Sequence, residues 1–445
     1  MDRSNPNEIV ELDQPNKDFW SSTFSVYLLT TLLGILTLAV LDTILNRYYE
    51  FNASVITIFP VDIPADIFQQ GCLKPVIGSH YFGDFQSEYC RMRGATPFSS
   101  NAASSYLPGF YVLLSFISLS TSLVSSWLAA DILSVLFLVA TIKTHLKGIS
   151  PFVASIILLA VFNPFWQALD RGNFALLLAI SFVLLGAKSE LRTERGWVIA
   201  VAVTLKLQLA PFLLILLCSG SVRDKWRSLV HFTGIFVLLN VIFPFLGWRE
   251  FGQFYPNYFK SLQSANTPNR LLDYGFRSLT FTVTHLEWSI WFWVFFILFS
   301  IVLTMSLVYI NTLDRFLERR DAEEELILVA LFAASIVILC SPLSYVYGLM
   351  ALLVPTVLIV SAQSGTRLIH KVQLVLITIV VLPNNVLLDS FINRQMHLSD
   401  ENMLNYASLG HLIPSVLLPS VAFSAVIIGC IDFRQQRIMK RMMSW

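Results

Sequence analysis

Long apolar runs alternate with short polar segments along nearly the whole chain. A bilayer core of about 30 Å takes roughly 20 helical residues, so each run predicts a membrane helix, and several helices are expected to extend beyond the apolar run itself. The predicted spans are Thr23–Leu45, Val124–Ile142, Pro151–Phe165, Phe174–Ala187, Leu229–Gly247, Ser289–Ile310, Leu326–Cys340, Gly348–Val360, Val372–Leu388 and Ile413–Ile431.

Two further apolar stretches fit a single crossing less well. Tyr106–Thr121 has a Pro-Gly pair near its start, and Trp197–Ser219 has Lys206 and Pro211 near its middle. The first predicts a partial helix at the outer face, and the second a re-entrant or broken hairpin. Irregular backbone at membrane depth is stable only where protein or a water-filled cavity surrounds it. Both stretches therefore predict a cavity.

Basic residues predict the orientation, because Lys and Arg are enriched in cytoplasmic loops. With the basic loops and the N-terminal tail inside, 19 of the 30 Lys and Arg residues are cytoplasmic. The chain then reads as one integral membrane domain over 1–445, without a separate soluble domain. Its cytoplasmic tails are 1–22 and the basic 432–445, its long first outer loop is 46–105, and a further outer loop is 248–288.

Composition agrees with a membrane protein, since 55% of the residues are apolar and only 13% are charged, about half the usual charged share. The net charge of +1 gives no indication of a nucleic-acid partner. Neither a P-loop nor a GxGxxG, HExxH or GxSxG motif occurs, which argues against a recognisable nucleotide site. Cys72 and Cys90 both fall in the predicted first outer loop. Two alternatives are equally compatible with the sequence: the two residues form a disulfide, or both are free thiols.

Four groups of polar residues are candidates for chemistry. The first lies in the outer loop and contains Asp84, Glu88 and Arg93, followed by Tyr106 at the start of the partial helix. These residues are either ordinary charges of a solvated loop, or they include a carboxylate that acts as a general base beside a membrane cavity.

The second group is Asp170, Arg171 and Asn173 in "NPFWQALDRGN", with Gly172 expected to allow close approach of helices. It is either an interfacial Asp–Arg pair that caps a helix, or a phosphate site in which Arg171 binds the anion. The third group is Lys206, which follows an almost wholly apolar run and must snorkel, pair or face water.

The fourth group combines Asn266, Arg270 and Arg277 of the later outer loop with Tyr345 and Tyr347. Tyrosines at helix mouths are commonly interfacial belt residues. Two arginines in an aromatic outer loop are more typical of a site for an anionic ligand.

The order of these groups resembles the GT-C superfamily of membrane glycosyltransferases. The segments that carry the resemblance are "DFQSEY", "ATPF", "YLP", "NPFWQALDRGN", "LKLQLAP" and "SPLSYVY". The chain looks most like glycosyltransferase family 87, which includes polyprenyl-phosphate-mannose-dependent mannosyltransferases, and partly like the first mannosyltransferase of GPI-anchor synthesis. The resemblance implies an all-α polytopic bundle of about 10–12 transmembrane or partial helices.

The resemblance also implies a reaction. A hexose, expected to be mannose, is transferred from a polyprenyl-phosphate donor to a lipid or glycan acceptor. The configuration at the anomeric carbon is inverted. Asp84 is then the expected base, with Glu88 and Asp170 as fallbacks. The cations expected to stabilise the leaving phosphate are Arg171, Lys206, Arg270 and Arg277. The remaining members of the four groups are expected to bind substrate.

No cofactor is expected, although a divalent cation stays open as an alternative. The expected location is a bacterial plasma membrane with an outward-facing site, or the ER membrane if the chain is eukaryotic.

A non-enzymatic flippase or transporter for lipid-linked glycans is the alternative from another class. An enzyme of another reaction, such as polymer ligation, is a third.

Overall fold

The computed structural model describes residues 23–49, 83–94, 106–117, 123–146, 150–188, 194–218, 222–247, 251–258, 322–340, 346–362 and 368–382, and positions 438, 439 and 442. Helices dominate these ranges, and no strand occurs within them. The protein is an all-α membrane helix bundle, as the sequence predicted. The predicted spans Ser289–Ile310 and Ile413–Ile431 lie outside the described residues.

The α-helices are named in chain order. They are α1 (Thr23–Tyr49), α2 (Gly83–Gly94), α3 (Pro108–Ile117), α4 (Leu123–His145), α5 (Pro151–Ala160), α6 (Asn163–Asp170), α7 (Phe174–Ala187), α8 (Arg195–Leu205), α9 (Val222–Val237), α10 (Phe243–Gly247), α11 (Ala322–Cys340), α12 (Leu353–Ser361) and α13 (Leu368–Val381). Tighter 3-10 helices cover Leu207–Leu217, Phe251–Gln253 and Val346–Leu352, and a wider π-helical turn, Leu238–Ile242, joins α9 to α10.

Within the described residues, two helical segments are long and apolar enough to cross a membrane on their own. They are Ser125–His145, with 21 residues, and Val222–Gly247, with 26 residues. The helices α5 and α6 form a third candidate if they are taken as one broken span. Helix α7 is shorter, but most of its side chains are buried, so it lies inside the bundle.

The prediction of one continuous helix over Pro151–Phe165 was wrong. Helix α5 ends at Ala160, α6 begins at Asn163, and the two axes differ by 79°. Pro164 accounts for the break, because proline has no N–H to donate and its ring clashes with the preceding turn of a continuing helix. The indole Nε1 of Trp166 donates to the carbonyl oxygen of Ala160 at 2.8 Å, which satisfies one carbonyl at the end of α5.

The stretch predicted as a broken hairpin does consist of two arms. Helix α8 ends at Leu205, Lys206 has extended backbone (φ −148°, ψ 98°), and the 3-10 helix Leu207–Leu217 follows. The far ends of the arms lie together, because the Nη1 of Arg195 donates to the carbonyl oxygen of Cys218 at 3.1 Å. With 11 residues, α8 rises about 16 Å, roughly half of a bilayer core.

Contacts at one end of the bundle involve basic residues. The Nη2 of Arg195 donates to the carbonyl oxygen of Lys188 at 3.3 Å, directly after α7. The Nε2 of His145, the last residue of α4, lies 2.9 Å from the carbonyl oxygen of Leu184. The ends of α4 and α7 and the base of the hairpin therefore meet at one level, which we call the basic end.

Candidate functional site

Helices α2 and α3, which follow one another in the chain, meet through a buried carboxylate. The hydroxyl group of Tyr111, on α3, donates to Oε2 of Glu88, on α2, at 2.5 Å. Both side chains are buried, with Glu88 7% exposed. A buried hydrogen bond is costly to break, because its groups would be left without partners, so this contact fixes α2 against the start of the partial helix.

Aromatic rings continue the contact from these two helices to α7. The ring of Phe174, the first residue of α7, lies 5.6 Å from that of Phe85 and 5.9 Å from that of Phe110, centroid to centroid. The ring of Phe110 also stacks on Tyr106 at 4.1 Å. We call Phe85, Tyr89, Tyr106, Phe110, Tyr111 and Phe174 the aromatic cluster. It joins the first polar group of the sequence to the second.

The turn that carries the second group is built for a tight reversal. Gly172 has a φ of 64°, and residues other than glycine rarely adopt this backbone conformation. The side chain of Asn173 then accepts a hydrogen bond from the N–H of Leu176 at 3.3 Å and caps α7. The positive φ is a reason for glycine at this position, and the expectation that Gly172 also allows close approach of helices stays a prediction. Arg171, partly exposed, closes the end of α6.

The third group, Lys206, joins the same cluster from the hairpin. Its side chain is only 8% exposed, and its Nζ donates to the hydroxyl oxygen of Tyr106 at 3.1 Å. The same Nζ lies 4.3 Å from the centroid of the Tyr106 ring, a cation–π distance. Of the three alternatives left by the sequence, pairing is the one found.

Of the fourth group, the structure describes only the backbone of Tyr347. The 3-10 helix Val346–Leu352, which contains Tyr347, packs against α6. The side chain of Tyr347 lies outside the described part of the structure, as do those of Asp84, Arg93 and Asp170. Asp84 is one helical turn before Glu88 in α2. The residues Asn266, Arg270, Arg277 and Tyr345 are wholly outside the described ranges, so their roles stay predictions.

Cys90 is disulfide bonded, and its partner lies outside the described side chains. Cys218 is a buried free thiol and is therefore not that partner. A bond from Cys90 to Cys72 stays a prediction. Among the described residues, no group of three or more His, Cys, Asp and Glu side chains is placed to hold a metal ion.

Sequence reasoning missed several residues that build this region. Tyr111 and Phe174 read as ordinary apolar positions, and nothing local indicates that they contact Glu88 and Phe85. Asn240 was also missed, although a lone asparagine in the apolar run "IFVLLNVIFPF" is a recognisable sign of a specific role.

Comparison with known proteins gives one match. The family model described as glycosyltransferase family 87 matches residues 105–342, more than half of the 445-residue chain. The matched range contains Tyr106, the turn at Arg171 and the hairpin tip at Lys206, while α2 precedes it. No curated protein and no solved structure matches the chain.

Proposed function

The chain belongs to glycosyltransferase family 87, and from that premise we propose that it transfers a hexose from a polyprenyl-phosphate donor to a lipid or glycan acceptor at the outer membrane face. Mannose is the proposed sugar, and the anomeric carbon inverts. Membership of the family itself shows that this integral membrane protein is a glycosyltransferase, which implies a sugar donor and an acceptor.

The observation that carries the proposal is the buried ammonium of Lys206 against Tyr106. An ionisable side chain buried inside a membrane helix bundle is rare and commonly functional, also where it has a hydrogen-bond partner. In the transfer, the bond between the anomeric carbon and the phosphate oxygen breaks, and the leaving phosphate gains negative charge. A cation already fixed at that point stabilises the transition state without having to reorganise.

The proposed roles divide between the hairpin tip, the turn before α7 and helix α2. Lys206 and Arg171 stabilise the leaving phosphate, and Arg270 and Arg277 are proposed to join them from the outer loop. The oxygen of the acceptor hydroxyl attacks the anomeric carbon from the face opposite the phosphate, and Asp84 takes its proton. Glu88, held by Tyr111, supports the position of α2 and is the fallback base.

The donor class is supported by chemistry. A lipid-linked sugar needs no nucleotide-binding fold, and no such motif occurs in the sequence. The prenyl chain stays in the bilayer while its phosphate reaches the polar groups beside the aromatic cluster. Transfer without a metal is the proposal, and activity in EDTA tests it against the open alternative of a divalent cation.

Orientation and compartment are part of the same proposal. The basic end is placed in the cytoplasm, which puts the aromatic cluster towards the outer face. The membrane is proposed to be a bacterial plasma membrane, or the ER membrane if the chain is eukaryotic, and the chain is proposed to cross it many times.

The deciding experiment supplies purified protein in reconstituted lipid vesicles with polyprenyl phosphates that carry different radiolabelled hexoses, together with a membrane glycolipid extract as acceptor. The expected result is a labelled product from the mannosyl donor. Movement of intact donor across reconstituted vesicles, with no labelled product, would identify a flippase and contradict the proposal.

A further inference from the structure

A buried asparagine lies in the middle of an apolar span. Asn240 is fully buried within the π-helical turn Leu238–Ile242, part of the membrane-crossing segment Val222–Gly247. A polar side chain at such a position is costly and commonly functional. Single π-helical turns inside α-helices are also frequent at functional sites.

The side chain of Asn240 joins two other segments. Its Oδ1 accepts a hydrogen bond from the N–H of Gly109 at 3.1 Å. Its Nδ2 donates to Oγ1 of Thr204 at 2.8 Å and to the carbonyl oxygen of Phe236, in its own helix, at 3.0 Å. One amide group therefore links α3, α8 and α9.

The backbone of Asn240 makes a third connection. The hydroxyl group of Tyr255 donates to its carbonyl oxygen at 3.3 Å. Burial raises the pKa of Tyr255 above its ordinary value, which is itself well above neutral pH, so the phenol is protonated and can donate in either case. The outer segment after α10 is thus tied to the same turn.

The linked positions are next to the contact between Lys206 and Tyr106. Gly109 follows Tyr106 by three residues, and Thr204 precedes Lys206 by two. The approach leaves no room for a larger residue, since a Cβ on Gly109 would lie 2.5 Å from Cγ2 of Thr204 and 2.9 Å from the carbonyl oxygen of Leu239. A small shift of the backbone at Gly109 or Thr204 would therefore also move Tyr106 and Lys206.

We propose that Asn240 is a positioning residue that sets the register between the Tyr106 segment and the hairpin tip, and so fixes Lys206 beside Tyr106. The proposal rests on the proposed function for its link to transfer, because Lys206 acts there on the leaving phosphate. The contact geometry itself is independent of any substrate.

The first test uses no substrate. Melting temperatures are compared in a cycle of Asn240→Leu and Tyr106→Phe, since Tyr106→Phe removes the hydroxyl group that Lys206 contacts. Tyr106→Phe is expected to lower the melting temperature by about 2 °C in the native background and by less than half as much in Asn240→Leu. Additive effects would overturn the proposal. If Asn240→Leu does not fold, Thr204→Val replaces it in the same cycle.

The second test measures transfer. Asn240→Leu is expected to lower kcat at least tenfold with a smaller change in the donor KM, because the contact at stake acts on the transition state. Asn240→Asp keeps an acceptor for the N–H of Gly109 and should recover part of the loss. Thr233→Val removes a hydroxyl group from α9 that contacts only its own helix in the described contacts, and it should match wild type.

The two tests fail in different ways. Wild-type kcat in Asn240→Leu would overturn the positioning role. Inactivity of the wild-type protein with every polyprenyl-phosphate hexose would overturn the donor assignment, and the melting-temperature cycle would then decide the positioning role alone.

Discussion

The Nζ of Lys206 lies 3.1 Å from the hydroxyl oxygen of Tyr106, 100 positions earlier in the chain. This contact joins the tip of a broken hairpin to a residue two positions before the start of α3. It brings together two motifs by which the sequence resembles its family, and it places a buried cation next to an aromatic cluster.

Lys206→Met should lower kcat/KM for transfer by about 10- to 100-fold, because a charge-assisted contact to phosphate contributes about 1.5–3 kcal/mol. Lys206→Arg keeps the charge and should retain more activity. The measurement is initial rate against donor concentration. Lys225→Met, which removes a partly exposed lysine of α9, is the matched control. Equal rates in Lys206→Met and the control would exclude the phosphate role.

Arg171→Ala and Arg277→Ala should each weaken donor use by about 10- to 100-fold for the same reason. Arg171→Lys should recover only part, since a point charge does not reproduce the bidentate geometry of a guanidinium group. Steady-state kinetics measures both effects. Wild-type kinetics in both alanine variants would show that neither arginine binds the phosphate.

The base of the hairpin should be a point of stability. Arg195 is 3% exposed and donates to the carbonyl oxygens of Cys218 and Lys188. Arg195→Met leaves these carbonyls without their charged donor and should lower the free energy of unfolding by about 1.5–3 kcal/mol. Unfolding in denaturant measures this change, with Arg223→Met as the control because Arg223 is exposed. Equal stability of the two variants would show that the hydrogen bonds donated by Arg195 do not stabilise the base of the hairpin.

The orientation is tested by cysteine labelling with an impermeant reagent. A cysteine at Gln263, in the predicted outer loop, should react from outside. A cysteine at Trp226, which is 63% exposed near the start of α9, should react only from the cytoplasmic side. The background lacks the other reactive cysteines. The reverse pattern would invert the assignment of inside and outside.

Local pattern predicted much of the helical framework. The apolar run Phe174–Ala187 gave both limits of α7, and the structure adds that the side chain of Asn173 caps its start. The break at Lys206 was also predicted, since a lysine and a proline interrupt one apolar stretch. The bend between Ala160 and Asn163 was missed because apolar length was weighed above Pro164.

The candidate site was only partly predictable. Glu88, Tyr106 and Lys206 were selected as polar residues in unusual contexts, and the structure brings them to one aromatic cluster. Their partners depend on packing between distant segments, such as Glu88 with Tyr111, 23 positions apart. Such pairs form only when distant segments pack together, and the residues around each position do not indicate which distant residue will be its partner. The same limit explains why the contacts of Asn240 were not anticipated.

The most direct test of the account compares wild-type protein with Asp84→Asn in transfer from radiolabelled polyprenyl-phosphate mannose. The amide keeps the size of the side chain but removes the basic oxygen, and loss of a general base costs about 10²–10⁴-fold in rate. Polyprenyl phosphate is expected to raise the melting temperatures of the variant and of the wild type by the same amount, because Asp84 is not proposed to bind the phosphate. Labelled product from wild type and a rate at least a hundredfold lower from Asp84→Asn are predicted. Activity of Asp84→Asn within a few fold of wild type would contradict the account.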